Sequence, residues 1–228
     1  MLKTTQLHGF NAAGLVAVVP PFVNYYDASN ISSITKTFYS CSLGPPAANR
    51  LVVLAIKATG LSTGQSISTV TIGGVSASRT TPSATPTRHV ELWQAVVTSG
   101  TTGHVVITAS AGSFASIGLG VYAIFPASTV AVDALYASAS TANSVTLTDL
   151  AKTAGGVSIL ASSFNASDGR TAVLTFPGET VTEDRENGAV SYVFGSVSVN
   201  SSTSTTDDPS VTWSGAAANV AIAGATWA

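Results

Sequence analysis

Alternation of apolar residues at every second position is the feature that most constrains how this chain can fold. The run IGLGVYAIF at 117–125 places five apolar side chains on one face of an extended chain, and GHVVITAS at 103–110 places three. Apolar residues at helical spacing are not sustained over more than about ten residues. Segments such as GPPAAN and TSGTTG separate the runs and are typical of turns. The pattern predicts an all-β protein, an antiparallel β-sandwich of the jelly-roll or immunoglobulin type.

The order of these runs repeats about 100 residues further along the chain, which indicates an internal pseudo-repeat. The first set comprises residues 50–60, 69–78, 90–99, 104–112 and 117–125. The second set comprises residues 155–165, 172–181, 190–199, 210–217 and 220–228. We predict about twelve strands in a single pseudo-symmetric sandwich of two packed sheets over 31–228, with halves at about 31–125 and 126–228.

Charge is scarce in this chain. Asp, Glu, Lys and Arg make up 9% of its 228 residues and the net charge is −2, whereas roughly 25% of an average soluble domain is charged. The nine Lys and Arg residues form no cluster. Nucleic acid is therefore excluded as a partner, because its recognition needs a basic patch.

The first 30 residues are predicted to form an N-terminal arm or a first strand. The apolar stretch at 12–19 is too short to span a bilayer and VPPF is a poor signal-peptidase site, so we expect no membrane segment and synthesis in the cytoplasm. The segment FVNYYD at 22–27 follows two prolines and has adhesive side chains. We expect the arm to dock on a neighbouring subunit, since ordering it alone would not offset its entropy.

The paired glycines of VTIGGVSASR, Gly73 and Gly74, raise the question of a phosphate-binding loop. Such a loop needs a following helix or a lysine, and neither pattern is present. The glycines are predicted to form a tight turn between two strands, matched in the second half by Pro177 and Gly178. No cofactor is expected.

Nucleophiles and bases occur without the motifs that would make them catalytic. Cys41 is the only cysteine, so no intrachain disulfide is possible and a buried thiol is expected. His8, His89 and His104 lie in unrelated contexts, and His89, at the start of a strand, is read as a turn residue. The one Gly-x-Ser-x-Gly match, GLSTG at 60–64, is followed by no helical pattern and so does not predict a nucleophile elbow. We predict no catalytic residue.

Carboxylates gather in GETVTEDRE, which contains Glu179, Glu183, Asp184 and Glu186 around Arg185. A hydrolase would need two acids facing a cleft, one with a raised pKa. A solvated loop or strand edge is the favoured interpretation, and a salt-bridged contact with a neighbouring subunit is the alternative. The pair at 207–208, in TTDDPS, is predicted to be a turn, with a cation site as the alternative and no metal site assigned.

Aromatic residues make up 7% of the chain and fall into two groups. Trp93, Trp213 and Trp227 lie in predicted strands and are expected in the core, which implies that the last strand is covered. The others concentrate near the N-terminus, at Tyr25, Tyr26, Phe38 and Tyr39. A carbohydrate-binding sandwich would present exposed aromatic side chains for stacking on sugar rings.

The motifs RLVVLAIKATG, STVTIGGVSAS, VELWQAVVTSGTTGHVVITAS and IGLGVYAIF, in this order, resemble a family of β-sandwich virion proteins from tailed bacteriophages. Members of that family carry a TIGGV-type segment, an aromatic strand followed by a GTSG-type turn, and a closing strand with a central Tyr. The resemblance covers residues 34–228 and leaves the N-terminal arm outside. Its motifs are structural, and no functional residue is implied by them.

The resemblance implies a structural virion component, either a capsid decoration or a tail- or fibre-associated protein. Its expected partners are capsid or tail subunits, reached through the N-terminal arm, and other copies of itself in a homo-oligomer or multicopy array. The alternative is a module on the virion that binds host-surface glycans. A hydrolase of surface polysaccharide would require two convergent carboxylates, and the protein is not expected to be an enzyme.

Overall fold

The computed structural model describes residues 22–82, 89–126, 128–165, 172–179, 181–186, 193–200 and 203–228. These residues form seventeen strands and no helix. Strands β1 to β9 are Phe22–Ser33, Thr35–Ser42, Leu51–Thr59, Ile67–Ile72, Val75–Ser76, Ser78–Arg79, His89–Val96, Thr102–Ala109 and Phe114–Ile124. Strands β10 to β17 are Asp133–Thr146, Leu150–Lys152, Val157–Asn165, Ala172–Thr175, Thr182–Glu186, Val193–Asn200, Thr205–Asp207 and Ser210–Trp227. The pairings are antiparallel, which confirms the predicted fold class.

The strands form four sheets. Sheet A has the order β1-β9-β3-β7-β6 and sheet B the order β2-β8-β4-β5. Sheet C has the order β10-β17-β12-β15-β14, with β13 also paired to β17, and sheet D is the pair β11-β16. Sheets A and B come from the first half of the chain and sheets C and D from the second, with no strand exchanged among the described residues.

Sheet A is buried on both faces and forms the middle layer of the molecule. All nine residues of β3 are buried. Its even-numbered residues 52–58 pack in the core shared with sheet B. Its odd-numbered residues 51–55 join a second core, to which sheet C contributes residues 157–161 and 221–227 at alternate positions. A third core lies on the opposite face of sheet C and includes Phe164 and Trp213.

Four sheets are thus present where the sequence analysis expected two. The physical reason is visible in RLVVLAIKA, a continuous apolar run that does not alternate with polar residues. Such a run is typical of a strand covered on both faces, whereas an alternating strand has one face in water. Each half forms its own pair of sheets, and the two halves meet through the core between sheets A and C.

Strand order corresponds between the two halves. β1, β9, β3 and β7 occupy the places in sheet A that β10, β17, β12 and β15 occupy in sheet C. The halves differ in continuity. In the second half β10 and β17 run unbroken and pair with each other along both parts of their length, whereas in the first half residue 34 separates β1 from β2 and residues 110–113 separate β8 from β9. Duplication of one ancestral half stays a prediction.

Gly73 and Gly74 form the two-residue turn between β4 and β5, with φ angles of 57° and 83°. Two successive positive φ angles are the signature of a type I′ hairpin turn, which glycine adopts without strain. This confirms the predicted turn, and Gly178, φ 72°, also takes a left-handed conformation.

Part of the predicted N-terminal arm is a strand of sheet A. β1 pairs along β9 from Phe22 onward, and the hydroxyl of Tyr26 accepts a 2.7 Å hydrogen bond from the backbone N–H of Ser42. The Tyr25 hydroxyl lies 3.3 Å from that of Tyr122. The two aromatic side chains therefore contact this chain's own sheets. Residues 1–21 lie outside the described residues.

The three tryptophans are buried, as predicted. Trp227 is fully buried in the core between sheets A and C, and its indole N–H donates a 2.9 Å hydrogen bond to the side-chain oxygen of Gln94 in β7. The closing strand β17 is therefore covered, and its last residue links the two halves.

Candidate functional site

Cys41 is buried within the core between sheets A and B, as the sequence predicts. Its thiol donates to the backbone carbonyl of Phe38 at 3.6 Å. Burial raises the pKa of the thiol to about 11. The group is therefore protonated at neutral pH and is a poor nucleophile.

The interpretation of His89 as a turn residue is wrong. His89 begins β7 and is fully buried, and its Nδ1 lies 3.6 Å from Oε1 of Glu91, which is also fully buried. Oε2 of Glu91 accepts a 2.8 Å hydrogen bond from the Trp93 indole, and Arg79 approaches Oε1 at 3.9 Å. The sequence analysis missed Glu91. The signal in the sequence was alternation: His89, Glu91 and Trp93 occupy every second position of β7 and so share the face that packs toward sheet B.

Glu179 was predicted to lie in a solvated loop or edge, but its side chain is only 4% exposed. It accepts a 2.6 Å hydrogen bond from Nζ of Lys152, which also forms an ion pair with Asp207. Burial lowers the pKa of Lys152, but the two carboxylates outweigh it and the net pKa is raised. Both acids therefore share one ammonium, which links sheet D to the turn after β13.

The remaining acids of the two predicted clusters divide into described and undescribed ones. The side chains of Glu183, Asp184 and Glu186 lie outside the described residues, as does that of Arg185. Asp208 accepts a 2.8 Å hydrogen bond from the backbone N–H of Asp149 and so ties two loops together. Over the described parts of the chain, no three His, Cys, Asp or Glu side chains are grouped so that they could hold a metal ion.

The outer face of sheet B carries an open depression of about 440 Å³. It lies where three features meet: the irregular part of β2, the β4–β5 turn and the beginning of β8. Its lining residues are Ser40, Gly73, Gly74, Thr102, Gly103 and His104. Tyr39 adjoins it, with 72% of the residue exposed. The sequence analysis named Gly73, Gly74, His104 and Tyr39 separately but did not bring them together.

β10 and β1 are the outermost strands at corresponding edges of sheets C and A, with 14 and 12 residues respectively. The only charged residue of β10 is Asp133, whose carboxylate accepts hydrogen bonds from the backbone of Ala134 and Ala151. Two exposed valines precede it, Val130 at 71% and Val132 at 43%. We call residues 130–146 the β10 edge.

Comparison with family models, with curated proteins and with solved structures finds no match to this chain. The resemblance to virion proteins of tailed bacteriophages therefore stays a prediction. In the part of the chain that the structure describes, there is no helix long and apolar enough to cross a membrane.

Proposed function

We propose that this protein is a structural component of a tailed-bacteriophage virion, a capsid decoration or a tail- or fibre-associated protein, that acts through assembly contacts. The observation that carries the proposal is the β10 edge: a 14-residue outer strand with one charged residue, already engaged by its own chain. The proposed role implies synthesis in the host cytoplasm and incorporation into the particle.

Long outer strands favour association because their unpaired backbone groups can pair with another strand. Proteins that remain monomeric protect such edges with lysines, prolines, bulges or very short strands. β10 contains no Lys, Arg or Pro, and its one irregularity lies between Ala142 and Ser144. An edge with so little protection is expected in a protein whose role is to associate.

The partner that we assign to this edge is a second copy of the chain, paired antiparallel about a two-fold axis. A two-fold axis at Ser140 pairs nearly the full length of two β10 strands and places Asp133 of each copy beside the uncharged end of the other, so no like charges meet. β1 is less suited, because Asp27 lies near its middle and would approach its own copy. Exposed small polar side chains, such as Ser138 and Ser140, cost little to bury.

The virion role is tested by localisation. Antibody against the recombinant chain, coupled to gold, would be applied to particles purified from the source culture. We expect regular labelling in many copies at one part of the particle, the head or the tail. Presence of the chain in the soluble lysate together with its absence from purified particles would contradict the proposal.

The assembly contact is tested by introducing a charge at Ser140, which is exposed and lies near the middle of β10. Ser140→Lys and Ser140→Glu would each place like charges opposite each other in the paired edges. We expect sedimentation to show weaker self-association for each variant alone and recovery in an equal mixture of the two. Thr63→Lys, in an exposed loop of the other half, is the matched control. Unchanged self-association of both Ser140 variants would contradict the edge contact.

A further inference from the structure

The depression on sheet B has a floor of bare backbone. A Cβ on Gly103 would lie 2.8 Å from the Cα of Gly73 and 2.9 Å from Cδ1 of Leu43, so only glycine allows β8 to approach the β4–β5 turn this closely. A Cβ on Gly74 would meet nothing within 4 Å, which shows that this side of the turn opens to solvent. The floor is therefore flat, uncharged and accessible.

His104 forms a polar wall of the depression in a fixed orientation. Its Nδ1 accepts a hydrogen bond from the backbone N–H of Ser40 at 3.3 Å. In the neutral ring the proton must then be on Nε2, which becomes a donor. The ring of Tyr39 contacts His104 edge-on, with centroids 5.1 Å apart and planes at 78°.

Tyr39 points outward by the alternation of β2, and an unusual backbone conformation follows it directly. β2 shifts register between Phe38 and Cys41, and Ser40 within this shift adopts a φ of 53°. A non-glycine residue in the left-handed region stores strain of about 1 kcal/mol or more, and such residues cluster at binding sites. The bulge makes Ser40 a second consecutive exposed residue, so that Tyr39 and Ser40 both lie beside the depression while Cys41 returns to the core.

We propose that this depression binds the uncharged sugar ring of a glycan. The apolar face of the ring would stack on Tyr39, and its hydroxyls would bond to His104 Nε2 and to the hydroxyls of Ser40 and Thr102. None of the six lining residues is an Asp, Glu, Lys or Arg, so the ligand is neutral. A volume of about 440 Å³ falls in the range of small-ligand pockets.

Threonines extend the site along sheet B. Thr37 and Thr71 flank Val106 in adjacent strands, and Thr35 and Thr69 flank Thr108 in the next row. These positions alternate with the buried residues of the same strands and so lie on the outer face. Successive rings of a chain-like glycan could therefore bond to hydroxyls beyond the depression.

The test is ligand-observed saturation-transfer NMR on the full chain. The probes are the methyl glycosides of glucose, galactose, mannose and N-acetylglucosamine, with N-acetylneuraminic acid as an anionic comparison. We expect transfer to at least one neutral glycoside and an affinity about tenfold lower for Tyr39→Ala, because the stacking surface is lost. Tyr39→Phe retains the ring and should bind as the unmodified chain does.

Val173→Ala is the matched control, since it removes an exposed apolar side chain on the other half, outside the β10 edge. Circular dichroism of each variant establishes that it is folded. The absence of transfer to every neutral glycoside, equal affinity of Tyr39→Ala, or stronger binding of the anionic sugar would each overturn the proposal. The result does not depend on self-association, so failure here is distinguishable from failure of the assembly role.

Discussion

The two halves of the molecule stabilise a buried cation in different ways. In each half the cation lies in the segment that leads into the central strand. In the first half Arg50 directly precedes β3 and is fully buried; its guanidinium donates to four backbone carbonyls, those of Gly44, Val97, Ser99 and Gly100, at 2.6 to 2.8 Å. In the second half Lys152 precedes β12 and is matched by Glu179 and Asp207.

The difference teaches how the charge is stabilised in each half. The Arg50 guanidinium is matched by carbonyl dipoles alone, so its environment does not change with pH across the range in which carboxylates titrate. Burial lowers the pKa of Arg50, but an arginine remains charged at neutral pH. Lys152 depends on two ionised carboxylates, so the stabilisation of this cation, unlike that of Arg50, responds to pH.

Arg50→Met should have the largest effect. It leaves four carbonyls near the 44–50 and 97–100 segments without their donor, at a cost of about 3–5 kcal/mol in the free energy of unfolding. Urea denaturation monitored by fluorescence measures it. Arg50→Lys keeps the charge but supplies one nitrogen in place of three, so an intermediate loss is expected. If Arg50→Met is as stable as the unmodified chain, water donates hydrogen bonds to these carbonyls in place of the guanidinium.

Lys152→Met should be less severe, because Asp207 is 17% exposed and its carboxylate retains some hydration. We expect a loss of about 2 kcal/mol at neutral pH from two carboxylates without a counter-ion. The loss should shrink as the pH falls and the carboxylates take up protons, whereas the loss in Arg50→Met should not. The same pH dependence of the stability loss in both variants would contradict this distinction between Arg50 and Lys152.

Trp227→Phe tests whether the halves unfold as one unit. It removes the hydrogen bond to Gln94 and part of the buried ring, at an expected cost of about 1–2 kcal/mol. If the halves are coupled through the core between sheets A and C, a single transition moves to lower denaturant concentration. Two transitions, of which only one moves, would mean that the halves unfold separately.

The smallest effect is expected in alkaline solution. The fold raises the pKa of Lys152, so the folded chain binds this proton more tightly than the unfolded chain. The contribution is complete below the unfolded pKa of about 10.4 and is lost as the pH rises through the folded value. The difference in stability between the unmodified chain and Lys152→Met should therefore narrow as the pH rises above about 10.4. A constant difference would contradict the linkage.

Local patterns in the sequence were enough for the strands, the Gly73–Gly74 turn and the burial of Cys41 and the tryptophans, because each depends on residues close together in the chain. The number of sheets was not evident, since a continuous apolar run such as RLVVLAIKA indicates burial but not which layer covers each face. The partners of Lys152 could not be found either. Glu179 is 27 residues away, and their contact depends on how sheet D lies against the turn after β13.

The depression on sheet B could not be predicted from the sequence for a similar reason. His104 has no flanking motif, and its proximity to Tyr39 depends on a register shift in β2 that composition does not reveal. Ser40 is one of many serines and nothing in its neighbours predicts a positive φ. The glycines were noticed, but their role as a floor appears only where β8 lies against the turn.

The strand orders have a consequence for synthesis. In sheets A, B and C the strand that comes last in the chain, β9, β8 and β17 respectively, lies between two that precede it. Each sheet therefore cannot close until its final strand has left the ribosome, and β10 then waits through more than sixty residues for β17. During that interval the face of sheet A that later packs on sheet C has no covering layer.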